Sequence, residues 1–175
     1  MSSNLLSQLS ELVSRHSDDG IFLDTNVLLL LLFGQIQPSM IGTKRLAKYT
    51  LQDAQLLTDY VSRFKRILTT AHVLAETSNL AAQILNDRLK DEFFTQIFQL
   101  FCGDDVDAFH QCETRSLNID KTIFARLGIT DATIVSVLRD NRLLLTDDLD
   151  LYLKAVSSGA PSINFTHMRE VAELV

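Results

Sequence analysis

Four acidic residues lie where a short apolar run ends or where the next helical stretch begins. They are Asp24, Glu76, Asp131 and Asp148. Asp24, for example, directly follows the run Ile-Phe-Leu, and Asp148 comes shortly after the run Leu-Leu-Leu. Carboxylates at the carboxyl ends of parallel strands, or at the starts of the following helices, point into one crevice. Like charges in one crevice repel unless a cation lies between them, and a divalent metal with oxygen ligands is the usual cation.

Each acid taken alone also has a structural explanation. An Asp at position 24 is well placed to be the N-cap of the next helix, and Asp131 would stabilise a helix start through the helix dipole. Glu76 lies at the polar edge of an amphipathic helix, where solvated glutamates are common. The residues from Asp147 to Asp150 read as another acidic helix start. The case for a shared site comes from the recurrence of the same placement in a repeating β–α pattern.

A metal-assisted hydrolase accounts for this recurrence. Mg²⁺ and Mn²⁺ prefer carboxylate oxygen and water, and such an ion activates a water and balances the charge that builds on a phosphate. The four histidines show no zinc spacing such as HxxxH. The chain has no Gly-rich phosphate loop and no GxSxG motif, which disfavours nucleotide binding and acyl transfer.

Composition bounds the class of protein. The chain has 175 residues, 46% apolar and 22% charged, as expected for one globular domain with a sizeable core. Its net charge of −6 argues against broad attraction to a nucleic acid backbone, although it does not exclude a nucleic acid substrate.

Targeting signals and cysteines indicate a cytoplasmic protein. The N-terminal residues lack a basic segment followed by an apolar block, so no signal peptide is expected. The longest apolar run, at 27–33, is too short to cross a bilayer, which needs about 20 residues, and it is typical of a buried helix. Cys102 and Cys112 lack the spacing of a zinc site and are expected to be reduced.

Apolar runs and helical periodicity alternate along the chain. Strands are expected at 21–23, 66–69, 143–145 and 163–165, with a further short strand near Val106 and Phe109. Helices are expected at about 3–17, 26–33, 50–64, 71–83, 87–101, 113–127, 130–140, 148–156 and 166–174. Thr50 and Thr130 are expected to cap helices, and Gly20 and Gly128 to end them. This alternation predicts a three-layer α/β/α fold with a central, mostly parallel sheet.

No linker or internal repeat divides the chain, so residues 1–175 are expected to form a single domain. Residues 1–19 would be an N-terminal helical extension, which could cover the sheet or form a homodimer interface. Residues 34–65 would be an enlarged loop and helix region. This region contains Lys44, Arg45 and Lys48, which would either contact a nucleic acid substrate or form a solvated basic loop.

The motifs around the acids resemble those of the PIN domain, a family of metal-dependent ribonucleases. IFLDTNVLL, the Glu in LTTAHVLAETSNL, GITDATIVSV and LLLTDDLDLY occur in the family's order between about residues 20 and 166. The resemblance implies a parallel sheet flanked by helices, Mg²⁺ or Mn²⁺ as cofactor, and hydrolysis of RNA phosphodiester bonds. Many small members are VapC-like toxins, which implies an antitoxin or other protein partner.

The resemblance also implies roles for individual residues. Asp24, Glu76, Asp131 and Asp148 match the catalytic, metal-binding acids, and Asp150 is a neighbouring carboxylate that would share the metal. Asn26 and Thr146 match polar positions that support the acids. Minimal toxins lack the N-terminal helix and the enlarged region at 34–65, so these additions bear on the toxin assignment more than on the nuclease assignment.

Two other functions compete with the nuclease. A haloacid dehalogenase-type phosphatase also begins with an Asp after a strand, but it requires a second Asp two residues later, where this chain has Asn26. A non-catalytic module could retain a PIN-like fold and use it to bind a partner. The intact set of acids argues against this module.

Overall fold

The computed structural model of the protein describes residues 2–102, 109–112, 119–138 and 142–172. Within these ranges the strands are β1 (Ile21–Leu23), β2 (Ile67–Thr69), β3 (Phe109–Gln111), β4 (Leu143–Thr146) and β5 (Ser162–Asn164). All strand pairs are parallel, and the sheet order is β3-β2-β1-β4-β5.

The helices alternate with these strands along the chain. They are α1 (Ser2–His16), α2 (Thr25–Ile36), α3 (Leu51–Val61), α4 (Ala71–Ile84), α5 (Asp87–Cys102), α6 (Lys121–Leu127), α7 (Ile129–Val137), α8 (Leu149–Ser157) and α9 (Phe165–Ala172). Short 3-10 turns at Pro38–Met40 and Lys44–Leu46 occupy the loop before α3. The arrangement confirms the predicted three-layer α/β/α fold with a parallel sheet.

The order of the strands creates a crevice beside β1. The chain proceeds from β1 outward through β2 and β3 on one side, and then continues with β4 and β5 on the other side. Loops that follow the two strands at such a switch point diverge and leave a ligand-binding crevice at the carboxyl ends of the strands. Leu23 pairs with Leu145 in the register of β1 and β4. The residues that follow these two strands therefore leave the sheet side by side.

Helix α2 forms the centre of the core, as its apolar run predicts. Every side chain from Val27 to Phe33 is at most 1% exposed. The helix packs against α3, α4 and α5 and also contacts β4. Because β1 and α2 are both buried, the residue that joins them, Asp24, has a fixed position.

Gly20 makes the turn from α1 into β1. Its φ is +97°, and a Cβ added there would lie 2.8 Å from the carbonyl oxygen of Arg66. The same carbonyl accepts the N–H of Ile21 at 3.0 Å, just before β2. A side chain at position 20 would therefore collide with the backbone that aligns β1 with β2.

Two predicted helices differ from the structure. The helix predicted at 113–127 is not continuous through residues 119 and 120, because the side chain of Asp120 caps α6 and accepts the N–H groups of Thr122 and Ile123 at 2.8 and 3.3 Å. Helix α7 begins at Ile129, so Thr130 lies inside its first turn and is not its cap. Residues 113–118 and Val106 lie outside the described residues.

The end of the last strand also differs from the prediction. Phe165 is the first residue of α9 and not the last residue of β5. The Oδ1 of Asn164 accepts the N–H of His167 at 3.2 Å, in the manner of a capping side chain. The predicted short strand near residue 109 is confirmed as β3 at Phe109–Gln111. No helix in the described ranges is long and apolar enough to span a bilayer.

Candidate functional site

Asp24 is the buried carboxylate at the switch point. It follows β1, is 3% exposed, and caps α2 by accepting the N–H of Val27 at 2.7 Å. Its Oδ2 accepts the N–H of Asp147 at 3.0 Å and the hydroxyl of Thr146. Burial raises the pKa of Asp24, although these hydrogen bonds act in the opposite direction. The residue therefore combines the structural role of a cap with a position in the candidate site.

Thr146 links Asp24 to the second acid of the crevice. Its hydroxyl donates to Asp24 and accepts the N–H of Asp148 at 3.0 Å. Asp148 is exposed and caps α8, where its Oδ1 accepts the N–H of Leu151 at 2.9 Å. The turn from β4 to α8 thus holds the carboxylates of Asp24 and Asp148 at the carboxyl ends of adjacent strands.

Glu76 approaches the crevice from α4. The Oγ1 of Thr25, the residue after Asp24, donates to its Oε2 at 3.3 Å. Glu76 is half-buried rather than fully solvated. Sequence reasoning did not single out Thr25, although a hydroxyl residue next to the strand-end acid was the available signal.

Asp131, on the first turn of α7, lies within reach of the charges of the other three acids. Burial is the main cause that raises its pKa to about 7, followed by the charges of Asp148, Asp24 and Glu76. A carboxyl group that is repelled by three others lies in the same electrostatic environment as they do. Asp131 therefore lies in the same region of the fold as the other three acids that the sequence analysis selected.

These acids provide suitable donors but not a preformed metal cage. Among the described residues, no group of three or more Asp, Glu, His or Cys side chains is gathered so that it could hold a metal ion. Like-charged carboxylates stay apart when no cation lies between them. Carboxylate oxygens match Mg²⁺ and Mn²⁺, and Mg²⁺ usually keeps several waters and takes only one or two protein carboxylates. The donor chemistry of the four acids fits such an ion.

Two other predicted site residues lie on the first turns of the helices that follow β1 and β4. Asn26 is half-buried on the first turn of α2. Asp150 is exposed on the first turn of α8, and its Oδ1 lies 3.4 Å from the Nη2 of Arg126. Its role as an additional metal ligand stays a prediction.

Two of the three residues in the basic cluster before α3 make intramolecular contacts. The Nζ of Lys44 donates to the carbonyl of Ile84 at 2.5 Å, and the ammonium of Lys48 pairs with Asp147. Arg45 is exposed. These contacts give Lys44 and Lys48 structural partners, and contact of the cluster with RNA stays a prediction.

Asp147 is the residue of this region that sequence reasoning undervalued. Its side chain is 1% exposed, and it accepts the hydroxyls of Tyr49 at 2.6 Å and Thr166 at 2.5 Å in addition to pairing with Lys48. Burial alone would raise the pKa of Asp147, but the hydrogen bonds from Lys48, Thr166 and Tyr49 outweigh burial and lower it. Asp147 is thus a stably charged group behind the two acids at the switch point.

A second ion pair extends this network to α3 and α9. The Nε of Arg169 donates to the Oδ1 of Asp53 at 2.7 Å, and Asp53 forms a capping box with Thr50 at the start of α3. The Arg169 guanidinium and the Lys48 ammonium lie 5.4 and 5.1 Å from the centre of the Tyr49 ring. The loop before α3 is therefore tied to the turn that carries Asp148.

Fold and site together define a class of protein: a parallel α/β domain with coupled carboxylates at the switch point of its sheet. Neither a scan against protein-family models nor a search of curated proteins found a match to this chain.

Proposed function

We propose that this protein is a metal-dependent endoribonuclease of the PIN type that hydrolyses RNA phosphodiester bonds. The observation that supports this function best is the link between Asp24 and Asp148 through the hydroxyl of Thr146, with Asp131 within reach of their charges and that of Glu76. Hydrolysis of a phosphodiester builds negative charge, and a carboxylate-bound divalent ion is a common means of balancing that charge. The location of the acids at the switch point, where α/β proteins bind ligands, agrees with this function.

Each acid, and each group that hydrogen-bonds to it, has a role in this function. Asp24, Glu76, Asp131 and Asp148 would hold Mg²⁺ or Mn²⁺, with Asp150 as an additional carboxylate. When bound, such an ion lowers the pKa of a water molecule and stabilises charge on the phosphate. The N–H groups of Val27 and Asp147 hold the carboxylate of Asp24, and Thr25 holds that of Glu76.

Cleavage assays test this function. Purified protein is incubated with labelled single-stranded RNA or total tRNA in Mn²⁺, in Mg²⁺ and in EDTA. We expect cuts that require metal and that fall by about 100-fold or more in Asp131→Asn, because even indirect supports of metal ligands contribute about 10–100-fold.

Asp91→Asn is the matched control, because Asp91 is an exposed acid on α5 and the substitution removes the same charge. This control is expected to cut RNA like the wild type. Cuts that persist in EDTA, or that Asp131→Asn retains, would contradict a carboxylate-bound metal as the source of activity.

A non-catalytic binding module is the second candidate. The structural roles of the acids favour it, because Asp24 and Asp148 cap α2 and α8 and need no metal for that. Melting temperature with and without Mn²⁺ separates the two functions, because an ion that binds the native state stabilises it by mass action. A rise in the wild type that Asp131→Asn abolishes supports the metal site. No rise and no RNA cleavage would support the binding module.

Partners and location follow from the proposed function. RNA would be the substrate, the protein would act in the cytoplasm, and it could serve as the toxin of a toxin–antitoxin pair. An antitoxin, another protein partner or a second copy of the chain would then bind it. Purification of the endogenous protein with its bound proteins, followed by measurement of the mass of the complex, tests these partners.

A further inference from the structure

A groove of about 400 Å³ opens directly beside Glu76 and Asp131. One wall is a face of α4, formed by His72, Ala75, Glu76 and Asn79, and the opposite wall is the junction of α6 and α7 at residues 127–131. Its volume lies in the range of about 300–1,000 Å³ that is usual for small-molecule sites. A ligand in this groove would lie next to two of the four acids.

The α4 wall follows from helical spacing. Residues 72, 75, 76 and 79 share one side of a helix, so His72 and Asn79 flank Glu76 along the groove. Asn79 is exposed, and its amide can both donate and accept hydrogen bonds. The Nδ1 of His72 is buried and has no hydrogen-bond partner among the described residues. His72 therefore contributes an imidazole ring to the wall of the groove.

The opposite wall is open and partly apolar. Gly128 has a φ of +88°, and a Cβ at this position would meet no atom within 4 Å. Gly128 caps α7 without a side-chain hydrogen bond, and Ile129, the first residue of α7, is 40% exposed. The wall therefore offers an apolar side chain together with backbone groups that no capping side chain covers.

The charged residues that line the groove indicate the charge of the ligand it can bind. Neither lysine nor arginine is among the described residues that line it, whereas two carboxylates are. An anion would be repelled there in the absence of metal, so the groove suits an uncharged group. The groove offers an imidazole ring, an amide, a threonine hydroxyl and an apolar side chain. A flat ligand with polar atoms at its edge could contact all four.

We propose that this groove binds one nucleobase of a single-stranded RNA substrate, next to the phosphodiester bond that is cut. The proposal rests on the nuclease function and specifies how that function selects its substrate. Proteins recognise single-stranded RNA by unstacking a base, stacking it on side chains such as histidine, and contacting its polar edge. Here His72 and Ile129 contact the face of the base, and Asn79 and Thr130 contact its edge.

The first experiment sequences the ends produced from a pool of randomised single-stranded RNA. The wild type is expected to prefer particular bases at one position beside the cut. Asn79→Ala is expected to reduce that preference by at least about fivefold, since a good amide–base pairing provides discrimination of this order. Asn79 is exposed, so its replacement leaves the core intact. Gln83→Ala is the control, because Gln83 is an exposed amide on α4 outside the groove, and it should keep the preference.

The second experiment does not depend on cleavage. The four nucleosides, which carry no phosphate, are titrated into ¹⁵N-labelled protein in EDTA. We expect amide shifts at His72, Asn79 and Gly128, and weaker binding by Asn79→Ala than by Gln83→Ala.

The two experiments separate this inference from the nuclease function. Nucleoside binding in the groove without any RNA cleavage would show that the groove binds a base, and it would refute the nuclease and the position of that base beside a cut bond. RNA cleavage whose base preference Asn79→Ala does not alter would overturn the groove as the recognition site and leave the nuclease in place. Nucleosides that shift signals elsewhere, or shift none, would also overturn the inference.

Discussion

Asp131 has a carboxyl group whose protonation depends on the fold. Its pKa is raised from 3.8 to about 7, mainly by burial and then by Asp148, Asp24 and Glu76. The folded protein therefore binds this proton more tightly than the unfolded chain does. The resulting stability is fully present below the unfolded pKa, near pH 4, and is lost as the pH rises to about 7.

This linkage predicts a pH-dependent effect of Asp131→Asn, because an amide imitates the protonated carboxyl. In EDTA we expect little difference from the wild type at pH 4. At pH 8 the variant should be more stable by about 1–2 kcal/mol, after allowance for solvent screening at a half-buried group. Urea unfolding at the two pH values measures this difference. A variant that is less stable than the wild type at both values would indicate that Asp131 mainly supports the start of α7.

The hydrogen bonds of Asp24 predict that two substitutions at this position differ in their effect on stability. Asp24→Ala removes the acceptor of three hydrogen bonds, from Val27, Thr146 and Asp147, and should cost about 2–4 kcal/mol. Asp24→Asn keeps an oxygen for the N–H of Val27 and removes a buried charge, so it should cost less than half as much. Both variants should lose the stabilisation by Mn²⁺. Chemical unfolding in EDTA tests the first point, and equal losses in the two variants would show that the charge itself holds the turn.

Patterns among neighbouring residues were sufficient to predict the four acids of the site but not the role of Asp147. Asp24 and Asp148 each follow a strand and cap a helix, and such positions can be recognised from neighbouring residues. Asp147 receives hydrogen bonds from Tyr49 and Thr166, which are 98 and 19 positions away in the chain. No periodicity or motif connects residues so distant, so Asp147 was interpreted only as part of a helix start.

The loop before α3 and the turn before α8 are joined by Lys48 and Asp147. The paired carboxylate is 1% exposed, and Lys48→Met would leave it buried without its cation. We expect a loss of about 1–3 kcal/mol at pH 7, with Lys48 half-exposed and the hydroxyl donors retained. The lowered pKa of Asp147 means that its contribution is lost as the pH falls below its ordinary value, so the loss should be smaller near pH 3.

Arg45→Met is the control for this junction. It removes a basic, exposed residue from the same loop and should change stability by less than about 0.5 kcal/mol. Thermal or urea unfolding of both variants at pH 7 compares them. Equal effects of Lys48→Met and Arg45→Met would refute the junction.

The start of α3 could be predicted from its side-chain cap, whereas the start of α7 at a glycine could not. Thr50 and Asp53 form the capping box that marks the start of α3, and the run at 27–33 marks α2. Gly128 ends α6 and caps α7 as well. Because Gly128 has both roles, no residue separates the two helices. A glycine also makes no side-chain hydrogen bond that would mark a helix start, so the sequence predicts the start of α7 at Thr130 instead.

The distribution of charge over the chain limits how it can bind RNA. The net charge is −6, and at least six lysine and arginine residues form ion pairs within the described ranges. A protein that binds RNA mainly through its phosphates needs many unpaired cations, and each contact adds to the salt dependence. An acidic nuclease should instead gain affinity from its metal and from contacts with bases.

This reasoning predicts a weak salt dependence of cleavage. For single strands the logarithm of the binding constant falls with the logarithm of salt concentration by about 0.7 for each phosphate contact. With about two or three such contacts, we expect kcat/KM at constant Mn²⁺ to fall with a slope no steeper than about −2. Measurements from 50 to 300 mM KCl, roughly the range in which such slopes are determined, provide the test. A slope near −5 or steeper would require an extended basic surface, and recognition of a base beside Glu76 and Asp131 would then contribute little to binding.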